Sequence, residues 1–209
     1  MEEITKAIVD LDEDEVLKLV KEKLEAGDDP MEILNASRKG MSQIGEESGE
    51  GGSVFLTDLI MAGEIFKQVM DILMPKLVDK KEEAKGTVVI GTVKGDIHNI
   101  GKDIAITFLE AEGFEVIDLG VDVPPEKFIE AIKENNPQVV GLSGLLTLSI
   151  EPMKKTIEEI EAANLREGLK IIVGGERMDQ EVSDHVGADA WVNDATKGVS
   201  IIKNWVGVE

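Results

Sequence analysis

The chain has no cysteine, which excludes a disulfide framework, a thiolate metal site and a cysteine nucleophile. Tyrosine is missing too, and five Phe and two Trp are all the aromatics in 209 residues, so any aromatic shielding of a ligand rests on very few side chains. Basic residues are outnumbered: 22 Lys and Arg face 43 Asp and Glu, for a formal charge of −21. A phosphate backbone would repel such a surface, which excludes nucleic-acid binding through it, and the same repulsion argues against docking on an anionic membrane. No apolar run reaches the roughly 18 residues that a membrane helix needs. The opening M-E-E-I-T-K is acidic and does not read as a signal peptide, so a soluble cytoplasmic protein is the expectation. Hydrophobic residues at 42% are enough for packed cores, and the length suits one large or two small domains.

Residues 1–77 carry helical periodicity and no convincing strand. Ile4 and Ile8 begin a first apolar stripe, and Val16, Val20 and Leu24 a second, with Asp10 or Asp12 as its cap and Gly27 at its end. Pro30 suits the first turn of a third helix through Met41 and Ile44, and residues 55–77 read as a fourth. Between these last two lie Gly49, Gly51 and Gly52. Four helices with short connections predict an antiparallel bundle. Residues 78–86 are charged and nearly devoid of large apolar side chains, and are expected to be a linker and a hinge.

From residue 87 the pattern alternates: short apolar strands at 87–92, 114–119, 138–142, 169–173 and 190–192, each followed by a helical stretch. That alternation predicts a parallel sheet covered on both faces, in the flavodoxin-like order 2-1-3-4-5. Ligands of such sheets bind beyond the carboxyl ends of the strands, where strand order reverses. The loops after Thr92, Leu142 and Val173 are therefore the ones to inspect.

The first of these loops reads Gly95-Asp96-Ile97-His98-Asn99-Ile100-Gly101. A histidine at the switch point is a candidate ligand or acid–base group, and a carboxylate two positions earlier can accept from one ring nitrogen and present the other to a metal. The plain alternative is that His98 caps the helix and Asp96 a turn. No cluster of His, Cys and carboxylates accompanies His98 as a zinc site would require, and the only other histidine, His185, reads as structural. A metal held by a lone imidazole needs its other ligands from a macrocycle, as haem supplies them.

Asp96-x-His98-x-x-Gly101, Ser143-Gly144-Leu145-Leu146-Thr147-x-Ser149 and Gly174-Gly175, in that order, resemble the cobalamin-binding domain of methionine synthase and the methylotrophic corrinoid proteins. Gly40-Met41, Ile44-Gly45, Phe55-Leu56 and Met61-Ala62 resemble the helical domain that precedes it, so the resemblance runs from about residue 10 to the end. It implies a four-helix bundle cap over residues 1–77, the linker 78–86, and an α/β cobalamin-binding domain over residues 87–209. His98 would bind cobalt from below as the metal ligand, Asp96 would hydrogen-bond it, and Ser149 would extend the relay. Ser143, Leu145, Thr147, Gly174 and Gly175 would line the slot for the cofactor's displaced nucleotide tail. Thr92, Val93, Lys94 and the loop residues Gly95, Ile97, Asn99, Ile100 and Gly101 would border the corrin. Phe55 and Leu59, and less so Met61, would shield the methyl-bearing face.

Departures from the family pattern fall in that helical part: Ser48 replaces a Phe, Thr57 a Pro, and one extra residue lies in the glycine-rich stretch. The resemblance further implies a methyl carrier rather than a complete enzyme, served by a donor-specific methyltransferase and an acceptor methyltransferase. Its acidic surface suits basic patches on such partners, and suits plain solvation equally. The same cofactor motif also serves mutase subunits, which lack the helical part, and cobalamin sensors, which bring a DNA-binding segment that this chain does not contain.

Overall fold

The computed structural model describes residues 1–48, 52–77 and 83–207. Gly49 and Gly51 of the glycine-rich stretch, and residues 78–82 of the expected linker and hinge, lie outside the described residues. The chain divides into two compact units, Met1–Glu83 and Ala84–Glu209.

The first unit holds four helices: α1 (Glu2–Val9), α2 (Glu13–Ala26), α3 (Pro30–Glu46) and α4 (Leu56–Leu77). Local chemistry sets their ends. Asp12 accepts from the Glu15 N–H at the start of α2, and Gly27 closes it in the left-handed conformation. Asp10, the other candidate cap, ends α1 instead. Asp29 caps α3, with Pro30 at its first position. The apolar stripes meet in a core that includes Ile4, Ile8, Val20, Met41, Ile65 and Phe66. Helices α1 and α3 pack closely enough that a Cβ on Gly40 would lie 2.8 Å from Ile8 Cβ. The Thr5 hydroxyl donates across the same seam to the Ala36 carbonyl, at 2.8 Å. Gly40→Ala should therefore lower the urea midpoint of unfolding by the equivalent of about 1–3 kcal/mol, overpacking outweighing alanine's better helix propensity.

The second unit alternates strand and helix: β1 (Thr87–Thr92), α5 (Ile100–Ala111), β2 (Glu115–Asp118), α6 (Pro125–Asn135), β3 (Val139–Ser143), α7 (Ile150–Ala162), β4 (Lys170–Gly174), α8 (Gln180–Val186), β5 (Ala190–Val192) and α9 (Ala195–Val206). A short 3-10 turn, Thr147–Ser149, precedes α7. All strand pairs are parallel, in the order β2-β1-β3-β4-β5 that the alternation predicts. Helix α5 packs with α9, while α6 packs with α7 and α7 with α8, so helices lie in two layers. Phe128, Met153, Ile157 and Val186 bury the α6–α8 layer against Val89, Val140, Leu142 and Val173 of the sheet.

The ladder register matters most for the site. Thr92 pairs with Ser143, Ser143 with Gly174, and Gly174 with Val192, so four strands end in one row. Strands β3 and β4 thus run one residue past the apolar stretches 138–142 and 169–173. Their last residues, Ser143 and Gly174, contribute no hydrophobic period, yet the ladder includes them. Among the described residues, no helix is long and apolar enough to cross a membrane.

Candidate functional site

Beyond β1 the chain makes a tight turn before entering α5. Val93 extends the sheet by one bridge to Val123, and its N–H donates to the Ser143 carbonyl at 3.0 Å. Gly95 then takes φ +86°, which side chains rarely adopt, and turns Asp96 inward until it is fully buried. Asp122, on the loop after β2, braces the turn: its carboxylate accepts from the Gly95 N–H at 2.8 Å and from Lys94 Nζ at 2.9 Å. Its own N–H donates to the Asp96 carbonyl at 2.9 Å.

Five donors converge on the Asp96 carboxylate. Oδ1 accepts from the His98 N–H at 2.9 Å and from His98 Nδ1 at 2.7 Å. Oδ2 accepts from the N–H groups of Leu145 (2.8 Å) and Leu146 (3.2 Å) and from the Ser149 hydroxyl (2.6 Å). Burial pushes this carboxyl upward, but the bonds from Ser149, His98 and Leu146 outweigh it and hold the group well below the usual carboxylate range. Asp96 is therefore an ionised, acceptor-only group that pins the β3 loop to the β1 loop.

That fixes the tautomer of His98. An acceptor-only oxygen 2.7 Å from Nδ1 requires Nδ1 to carry the proton, so Nε2 of the neutral ring keeps its lone pair. The His98 side chain is 48% exposed, and Thr92 Oγ1 donates to its backbone carbonyl at 3.2 Å. His98 thus presents a fixed, accessible ring nitrogen. Among the described residues, no group of three or more His, Asp or Glu is placed to hold a metal ion on its own.

Ser143 and Gly174 pair at the carboxyl ends of β3 and β4, Gly175 lies against the Gly144–Leu145 backbone, and Thr147 opens the 3-10 turn that follows. The two glycines differ. A Cβ on Gly175 would lie 1.9 Å from the Gly144 carbonyl oxygen, whereas one on Gly174 would meet only Val192 Cγ2, at 3.6 Å. A Cβ on Gly144 would lie 2.6 Å from Ser149 Cβ, so glycine there also lets the relay serine approach. Space beside Gly174 suits a flat group entering the row of strand ends.

Exposed apolar side chains stand on the segments that meet at Asp96: Ile97 beside His98, Ile100 at the start of α5, Val121 on the loop after β2, and Leu146 and Leu148 after β3. Leu148 is 84% exposed. Exposed apolar groups on the loops that carry one accessible imidazole nitrogen suit a large planar ligand that brings its own metal, so the residues fit a corrinoid. Asn99, Ile100 and Gly101 form the start of α5, and no atom lies within 4 Å of a Cβ built on Gly101.

Sequence reasoning did not single out Val121 or Leu148, and cited Leu146 only as part of a motif. An apolar pair spaced by two in a loop, flanking Thr147, was the available signal. Phe55 and Leu59 belong to the helical unit. There Phe55 is 71% exposed, with Leu56, Ile60 and Met61 also exposed, while Leu59 is buried in the core. His185 pairs with Glu151 at 3.2 Å, on α8 and α7.

Fold and loop chemistry together are those of a B12 binding domain, and that family matches residues 86–201. A second B12 binding domain family matches residues 1–74. The chain belongs to the corrinoid proteins. It is 40% identical over 200 residues to trimethylamine corrinoid protein 1 of Methanosarcina acetivorans, covering 94% of this chain and 92% of that one. It is 36% identical to dimethylamine corrinoid protein 1 of Methanosarcina mazei, with 97% and 94% covered. A crystal structure of a cobalamin-binding protein from Desulfitobacterium hafniense is similar at 40% identity and TM-score 0.78, over 98% of this chain and 97% of that one. The methanol:cobalamin methyltransferase complex of Methanosarcina barkeri contains a chain 26% identical, at TM-score 0.84, over 98% of this chain and 78% of that one.

Proposed function

We propose that this protein is the corrinoid-carrying component of a methyl-transfer system, with His98 as the lower axial ligand. The observation that carries the reading is the pinned imidazole: Nδ1 is tied to a buried carboxylate and Nε2 is left for a metal that no cluster among the described residues could hold. A bound corrinoid supplies a cobalt centre that accepts a methyl group and passes it on. The chain's own residues bind and orient it. Asp96 fixes the His98 tautomer, and Ser149 and the Leu145 and Leu146 amides keep Asp96 ionised and in place.

Ser143, Leu145, Thr147, Gly174 and Gly175 form the slot for the nucleotide tail. Lys94, Gly95, Ile97, Asn99, Ile100 and Gly101 border the ring; Thr92 and Val93, expected beside it, are fully buried at the end of β1 and hold the loop from beneath. Residues 1–77 act as the cap, with Phe55 shielding the methyl group; Leu59, expected to share that role, is packed into the helical unit's core and supports it from behind. Residues 78–86 are the linker and hinge, and residues 87–209 the cobalamin-binding domain. Two partner enzymes complete the system: a methyltransferase that loads the carrier and one that unloads it. Relatives named for trimethylamine and dimethylamine support a methylated amine as donor. The cytoplasm is the compartment we assign, on the cysteine-free acidic composition.

Reconstitution with methylcobalamin tests the ligand. The wild type should show the spectrum with lower base off and histidine on, and His98→Ala should lose it while folding normally, because the side chain is half exposed. An unchanged spectrum in the variant would overturn the assignment of His98. The carrier reading fails if purified holoprotein demethylates a donor with no second protein present.

A further inference from the structure

Among the described residues only two charged side chains are buried, Asp96 and Lys102. The first holds His98; the second has no part in the site as described above. A buried lysine is costly unless every donor is satisfied, and a well-packed apolar side chain would usually do as well for stability alone. Lys102 Nζ meets that condition: it donates to Asp103 Oδ1 at 2.7 Å and to both oxygens of Asp118, at 2.8 and 2.9 Å.

The two carboxylates lead back to the ligand loop from opposite sides. Asp103 accepts through its other oxygen from Asn99 Nδ2 at 2.7 Å, so the residue following His98 is tied to the hub. Asp118, the last residue of β2, also accepts from the Gly120 N–H at 2.9 Å and so sets the start of the loop that carries Asp122. Asp122 in turn holds Gly95 and Lys94. The segment 95–99 is thereby held at both ends: at Asn99 by hydrogen bonds that run through Asp103 to the buried ammonium, and at Gly95 by Asp122, whose loop starts at the Asp118–Gly120 turn that the same ammonium anchors.

We propose that Lys102 is a positioning residue for the axial ligand: it locks the loop so that His98 keeps its Asp96-bound orientation when Nε2 is available to a metal. The inference rests on the reading of His98 above. Asp103 and Asp118 are about half exposed, so their charges can be solvated when the ammonium is removed, and Lys102→Met should fold.

The experiment is titration of the apo-protein with hydroxocobalamin, following affinity and, at saturation, the fraction of the histidine-on spectrum. Lys102→Met should bind about tenfold or more weakly and stay partly histidine-off at saturation. Lys102→Arg should recover part of both, and Asn99→Ala, which cuts one arm from the surface, should lower the histidine-on fraction. Asp189→Asn is the stability control, since Asp189 pairs with Arg166 and the Ile171 amide at the amino ends of β4 and β5. It should lower the melting temperature yet leave affinity and spectrum as in wild type. The proposal is overturned if Lys102→Met keeps wild-type affinity and histidine-on fraction, or loses them only as far as Asp189→Asn does. Should Lys102→Met fail to fold, Asn99→Ala decides by the same criterion. Failure of the wild type to bind cobalamin would instead sink the reading of His98.

Discussion

Asp96→Ala should destabilise the α/β unit by about 3 kcal/mol or more and abolish the histidine-on spectrum at once. The carboxylate is the common acceptor for five donors from two loops. Hydrogen bonds to a charged group contribute roughly 1.5–3 kcal/mol each, and truncation leaves the buried Ser149 hydroxyl and the part-buried Leu145 and Leu146 amides without an acceptor. Asp96→Asn should be nearly as damaging, because its amide would bring a donor into a ring made of donors. Urea unfolding of the apo-proteins measures the first effect, and cobalamin titration the second. An Asp96→Asn protein with the wild-type midpoint would refute this account of the site.

The sign of its pH dependence follows from the depressed native carboxyl. Burial raises it, but the donor bonds bring the balance below the ordinary 3.8. A group whose native value is depressed contributes stability that is fully present above its unfolded value and is lost as pH falls through the native one. The stability gap between wild type and Asp96→Ala should therefore be flat from neutrality to about pH 5 and narrow on further acidification. A gap that widened in acid would contradict the depressed native carboxyl.

Much of this was legible in the sequence, for physical reasons. Short apolar strands alternating with helices leave few topologies, and the order of the sheet followed. The Asp96-x-His98 spacing is local, so its hydrogen bond was readable from two residues. What spans long separations was not. The Leu145 and Leu146 contributions to Asp96 come from backbone amides, which carry no side-chain signal. Lys102, in the first turn of a helix, reads as solvated until the end of β2 is known to bring Asp118 beside it. Leu59 shares the helical spacing of its neighbours, and only the packing separates it, buried, from the exposed Ile60 and Met61.

Gly174 and Gly175 read alike in sequence and should respond in opposite ways. Gly175 has φ +150°, and a Cβ there would be driven into the Gly144 carbonyl oxygen at 1.9 Å. Backbone cannot yield as a flexible side chain can, so Gly175→Ala must part the ends of β3 and β4. Strain and overpacking together should cost about 3 kcal/mol or more. The Ser143–Gly174 ladder pair and the Gly175 bond to the Val192 carbonyl would be strained with it, so the melting temperature and cobalamin affinity should fall together. Gly174 has ordinary strand geometry and only Val192 in reach, at 3.6 Å. Alanine in a strand removes glycine's entropic cost of roughly 0.5–1 kcal/mol, so Gly174→Ala should leave the apo-protein as stable as wild type or slightly more so. If the nucleotide tail occupies the space beside Gly174, the same methyl group should weaken cobalamin binding by about tenfold or more. A stable Gly174→Ala protein that binds cobalamin like wild type would remove Gly174 from the tail slot while leaving the structural role of Gly175 untouched, which is why the pair separates a binding surface from a folding constraint.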